Sequence, residues 1–173
     1  DANTDGHSNT ALGESSLTSN TGGDKNVAIG QNAMAVNTTG SENVGIGRNA
    51  LDANTTASNN TAIGDQSLTA TTTGHSNVAV GHSALAANTT ANDNVAVGSS
   101  ALLDNTTGDV NTAIGTSALA NNTTASNNSA LGRESLFTNT TGANNTAMGN
   151  ASLYNNTTAS NNTALGYQAL FAN

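Results

Sequence analysis

A parallel β-solenoid is the fold this sequence predicts, and three observations predict it. A glycine preceded by an aliphatic residue recurs every 17 residues, from Gly13 and Gly30 through to Gly149 and Gly166, without one insertion. Around each glycine some columns hold one residue type while others drift freely. The constant types are mostly Asn, Thr, Ala and Gly, of which Asn, Thr and Gly are weak helix formers that serve tight corners well. Ten units of 17 account for 170 of the 173 residues, so the chain 1–173 reads as a single repeat domain.

Each column suggests a place in the lap. The residue before the glycine is always aliphatic, and four residues after it comes Leu, or Met at Met34. Apolar residues spaced five and then twelve apart do not sustain a helical stripe. Phrases such as Thr-Ala-Ile-Gly and Ser-Ala-Leu-Ala are each long enough for a short strand. Asn-Thr-Thr-Ala-Ser-Asn-Asn reads as a corner, because Asn and Thr hydrogen-bond local backbone. Seventeen residues then make one coil. Coils stacked about 4.8 Å apart give a rod of roughly 45–50 Å.

Stacking explains why the columns stay constant: each residue sits on its own copy above and below. Two apolar spines are expected inside the rod. One contains Ile29, Ile46, Ile63 and Ile114; the other contains Leu51, Leu68, Leu85 and Leu119. The Ala or Ser just ahead of each Leu is kept small, which implies close approach across a thin core or against another chain. Four residues before each glycine stands an asparagine: Asn9, Asn26, Asn43, Asn60, Asn77, Asn94, Asn111, Asn128, Asn145 and Asn162. That file is expected to form a ladder of the cross-β kind. Seven before the glycine, Gly40, Ala57, Gly74, Ala91, Gly108, Ala125, Gly142 and Ala159 alternate. This points to duplication of a two-coil unit, and to a position that does not require positive φ.

Composition narrows the chemistry. The formal charge is −8 with only three Lys or Arg, so phosphate is repelled and nucleic acid is not an expected partner. There is no Cys, so disulfides and thiolate metal sites are excluded. No apolar run approaches the roughly 20 residues of a membrane span. Acids such as Glu14, Asp65, Asp93 and Glu134 lie in drifting columns, so no general acid/base pair is specified. His7 and His75 share a column but stand four coils apart, about 19 Å by strand spacing. No enzyme activity, metal or cofactor is expected.

Two surface roles are legible. Asn-Thr-Thr corners form glycosylation sequons at Asn37, Asn54, Asn88, Asn105, Asn122, Asn139 and Asn156. The competing reading is that these asparagines serve the turn and a ladder. The unbroken file Thr4, Thr21, Thr38, Thr55, Thr72, Thr89, Thr106, Thr123, Thr140 and Thr157 offers a regular array of methyls and hydroxyls, as an ice-binding solenoid would. Phe137, Tyr154 and Phe171 share a column and mark one edge near the C-terminus. Asn173 occupies the same phase as Asn3, which predicts uncapped ends and head-to-tail stacking into a filament.

The phrases Asn-Thr-Ala-Ile-Gly (from Asn60 and Asn111), Asn-Val-Ala-Ile-Gly (from Asn26) and Asn-Thr-Ala-Leu-Gly-Tyr-Gln-Ala-Leu (Asn162 to Leu170) carry a resemblance. They resemble the YadA-like head repeats of trimeric autotransporter adhesins. They also resemble the repeats of phage tail fibres and bacterial surface fibre proteins. The resemblance implies a left-handed parallel β-roll, three chains together, displayed outside the cell and binding matrix or surfaces. This unit is longer, and it adds the Leu and the Asn-Thr-Thr corner. No neck, stalk or anchor lies within these residues. The expectation is a non-enzymatic, extracellular or cell-surface fibre or adhesin segment. It would associate with itself as a head-to-tail filament or homotrimer, with a surface or matrix ligand as a further partner.

Overall fold

The computed structural model describes residues 3–172; Asn173, and with it the matching phase at the C-terminus, lies outside them. Ten short strands follow one another: β1 (Thr10–Leu12), β2 (Val27–Ile29), β3 (Val44–Ile46), β4 (Thr61–Ile63), β5 (Val78–Val80), β6 (Val95–Val97), β7 (Thr112–Ile114), β8 (Ser129–Leu131), β9 (Thr146–Met148) and β10 (Thr163–Leu165). They form one parallel sheet in sequential order. Every pairing joins equivalent positions: Ala28 lies opposite Gly45, and Ala62 opposite Ala79. The fold is the all-β parallel solenoid that the columns predict.

Each coil has one strand where the sequence predicts two. The Ser/Ala-Leu segment is a run of turns. Its Leu sits at positive φ in each coil, as at Leu51 (φ 53°) and Leu85 (φ 51°), and so does the residue two before it, as at Asn49 (φ 56°). Left-handed residues alternating with right-handed ones bend the chain too sharply for a strand. The backbone polar groups are still paired. Met34 N–H donates to Ala50 O (2.9 Å) in the next coil, and Ala33 N–H closes on Gly30 O (3.3 Å) in its own. A third left-handed corner precedes the buried Asn, as at Asn59 and Asp93. Left-handed backbone costs a non-Gly residue about 1–2 kcal/mol, a cost offset by the bonds each coil makes to its neighbours.

The core is thinner than predicted, and one expected spine is outside it. Leu51, Leu68, Leu85 and Leu119 are fully buried. Ile29, Ile46, Ile63 and Ile114 are not core residues: Ile29 and Ile46 are half-buried, while Ile63 and Ile114 are 38% and 39% exposed. Side chains alternate along a strand. In a three-residue strand only the central side chain points inward, and that residue is Ala in every unit but one. The buried sheet file is therefore Ala28, Ala62, Ala79 and their equivalents through Ala164, while Ala11 in the first strand is exposed. The Ala or Ser file beside the Leu is buried too, so it is kept small by the thin core. Where it is Ser, the hydroxyl donates back to the preceding glycine carbonyl, as Ser67 Oγ does to Gly64 O (3.0 Å).

The file exceptions sit together. Gly45 replaces Ala, and a methyl built on it would lie 3.0 Å from Met34 Cγ. Met34 replaces Leu one coil earlier, and its longer side chain uses the space. The repeating glycine is held by two constraints. Gly98 has φ +133°, and a Cβ there would lie 2.7 Å from the Gly115 carbonyl carbon and oxygen. In the Gly/Ala alternating file no glycine has positive φ. There a methyl on Gly40 would collide with the Ala57 carbonyl and the Asn37 amide, so close stacking alone favours Gly.

Candidate interaction face

The outward residues of ten parallel strands make one continuous surface. Two files cover it. The strand-entry file reads Thr10, Val27, Val44, Thr61, Val78, Val95, Thr112, Ser129, Thr146, Thr163; the strand-exit file is the aliphatic column, from Leu12 to Leu165. Neither file nor the Ala file between them holds a charged residue. Leu131 and Met148 are 43% and 44% exposed. Sequence reading missed this surface because it placed the aliphatic column inside. The signal was present: apolar or β-branched residues at both ends of a three-residue strand with Ala between them.

Charge stands off the face, on corners. Lys25 Nζ bonds Glu42 Oε1 (2.8 Å) and Arg48 Nη2 bonds Asp65 Oδ2 (2.9 Å), each across one coil boundary. Glu42 holds the Lys25 ammonium above its usual pKa. Partial burial raises the Asp52 carboxyl. Exposed pairs like these contribute little to stability.

Behind the face, two asparagine ladders tie coil to coil. From Asn9 to Asn162, each side chain accepts from the backbone of the next: Asn26 N–H donates to Asn9 Oδ1 (2.8 Å), and Asn43 N–H to Asn26 Oδ1 (3.0 Å). Each amide from Asn9 to Asn145 also donates to a carbonyl in the next coil, as Asn60 Nδ2 does to Gly74 O (2.8 Å). The second ladder consists of the sequon asparagines together with Asn20, which has no sequon. Asn37 Nδ2 donates to Asn20 Oδ1 (2.9 Å), Asn54 Nδ2 to Asn37 Oδ1 (2.7 Å), and Asn139 Nδ2 to Asn122 Oδ1 (3.0 Å).

Glycosylation at Asn37, Asn54, Asn88, Asn105, Asn122, Asn139 and Asn156 is incompatible with this arrangement. All seven are fully buried. Their amide nitrogens donate inside the rod, as Asn88 does to Ala91 O (3.2 Å) and Asn105 to Gly108 O (3.0 Å). A glycan on that nitrogen has no path to solvent.

The threonine file is also committed to stacking. Thr38 Oγ1 donates to Thr55 O (2.9 Å), Thr106 Oγ1 to Thr123 O (3.0 Å) and Thr140 Oγ1 to Thr157 O (3.0 Å). Phe137, Tyr154 and Phe171 stack face to face, with ring centroids 5.2 and 5.0 Å apart. They form a half-buried ladder whose ring faces are largely spent on one another.

Comparison with protein-family models, with curated proteins and with solved structures gives no match.

Proposed function

We propose that this chain is a non-enzymatic, extracellular fibre or adhesin segment whose rods associate side by side with copies of themselves through the sheet face. The observation that carries this reading is the uncharged surface running along all ten coils, aliphatic along its strand-exit file and Thr, Val or Ser along its strand-entry file. Its size supports it. Ten coils about 4.8 Å apart, bearing two outward side chains roughly 10 Å wide in total, present on the order of 500 Å² per copy. That is at the upper end of the largest apolar patch on a typical monomer. Each rod carries a charge of −8, yet the face carries none of it, so copies meet there without like charges in contact. A closed assembly such as a homotrimer would cover all the faces together. The drifting corner positions would then point outward and meet a surface or matrix ligand.

Sedimentation of the chain beside its Ile63→Lys variant tests the reading. A discrete oligomer is expected for the parent and a folded monomer for the variant, with unchanged circular dichroism. A parent that stays monomeric at millimolar concentration would remove the reading; rods joined end to end would survive Ile63→Lys. Ice binding through the Thr4 to Thr157 file is the weaker alternative, because hydroxyl hydrogens along that file point into coil-to-coil bonds. Thermal hysteresis from the monomer would favour it.

A further inference from the structure

A surface that repeats every coil has a register problem. Sliding one rod past another by a single coil, about 4.8 Å, brings equivalent residues back into contact and loses only the last pair. The strand-exit file does little to prevent this, since its residues are all aliphatic. A specific assembly therefore needs a feature that occurs once.

Ser129 supplies one. It is the only serine in the strand-entry file, where every other residue is Thr or Val. A groove of about 200 Å³ lies between the two files at this coil, lined by Ser129, which lacks the methyl of its neighbours in the file, and by Ala130. Thr112 and Thr146 flank it on one side, and Ile114, Leu131 and Met148 line the other. The lining is almost wholly apolar. A site of this size and character suits one aliphatic side chain, as dry apolar cavities take small hydrocarbons.

We propose that this groove is the register mark of lateral assembly: it receives an aliphatic side chain from the strand-exit file of a second copy. The inference rests on the reading that the sheet face binds copies of the chain, and it names the residue that sets their alignment. A second copy is the occupant because its outward side chains arrive at the same coil-to-coil pitch. Seating one in the groove lets the others interdigitate along the rod. At about 1,000 Å² for a pair, the face lies at the lower limit of a specific interface. At that limit, one seated side chain decides between neighbouring registers.

The sign of one substitution tests this. Ser129→Val fills the groove with the residue found at Val27 and Val95, and it adds apolar area to the face. A face that binds by area alone would associate more tightly. A face registered by the groove is expected to associate at least tenfold more weakly by sedimentation equilibrium. Ser129→Ala, which keeps the groove open, is expected to leave the association constant within twofold. Circular dichroism and thermal melting of each dilute monomer check that folding is intact. Equal or tighter association of Ser129→Val overturns the register role while leaving the face reading standing. A monomeric parent overturns both, and a monomer with thermal hysteresis favours ice binding through the Thr4 to Thr157 file instead.

Discussion

Thr71 shows what each asparagine in the outer ladder contributes. It is the only non-Asn residue in that file from Asn3 to Asn156. Along most of the file an asparagine Oδ1 accepts from the amide one coil on, as Asn37 Oδ1 does from Asn54 Nδ2; with Thr71 in that place, Asn54 Oδ1 is left buried without a hydrogen-bond partner. Thr71 Oγ1 donates to Asn88 O (3.2 Å) and accepts from Asn88 Nδ2 (3.3 Å), which repairs only one side of the break. An unsatisfied buried acceptor costs about 1–3 kcal/mol. Thr71→Asn restores an amide donor facing Asn54 Oδ1 and an oxygen facing Asn88 Nδ2. It is expected to stabilise the chain by about 1 kcal/mol, seen as a higher guanidinium midpoint. An unchanged or lower midpoint would mean that the gap is already satisfied by other means.

At the scale of the element, the coil depends on residues far apart in sequence but stacked in space. Met34 and Gly45 lie in neighbouring coils, and each is the exception in its own file. Gly45→Ala alone places a methyl 3.0 Å from Met34 Cγ and 3.3 Å from its Sδ. Overpacking of this kind costs about 1–3 kcal/mol. The flexible thioether can yield, which favours the lower figure. Met34→Leu alone leaves space above Gly45. The double variant restores the pairing found in the other coils. A double-mutant cycle is therefore expected to show coupling of at least about 0.5 kcal/mol, with the pair more stable than the sum of the single changes. Strict additivity would show that the two exceptions are unrelated.

The whole rod behaves as a one-dimensional stack, because each coil touches only its neighbours. Strand contacts follow that order, β1 with β2 through to β9 with β10. Deleting residues 77–93 removes 17 residues and rejoins every file in phase. Such a variant is expected to keep its β spectrum and lose only part of its thermal midpoint. Deleting residues 77–92 removes 16 and shifts every downstream column by one. That places Asp93 where Asn must bond and Val95 where Ala must fit the thin core, so loss of folded signal is expected. Equal stability of the two deletions would refute the in-register stack.

The sequence alone determined the lap length, the parallel in-phase stacking and the burial of the leucine file. A constant spacing admits only one way for each residue to meet its own copy. It also pointed to the Asn9 to Asn162 file as a ladder, but left the sequon asparagines and the threonine file open between the stack and the surface. It could not tell which apolar column faces inward. Ala28 and Ile29 are adjacent, both are apolar, and either could point into a core. That choice was made by the closure of the coil. Left-handed corners at residues such as Asn49 and Leu51 leave a core so thin that only Ala fits beneath the sheet. Alternation along the strand then turns the larger aliphatic chains out. The apolar face, and the groove at Ser129 within it, exist because three-dimensional closure rather than hydrophobicity decided what was buried.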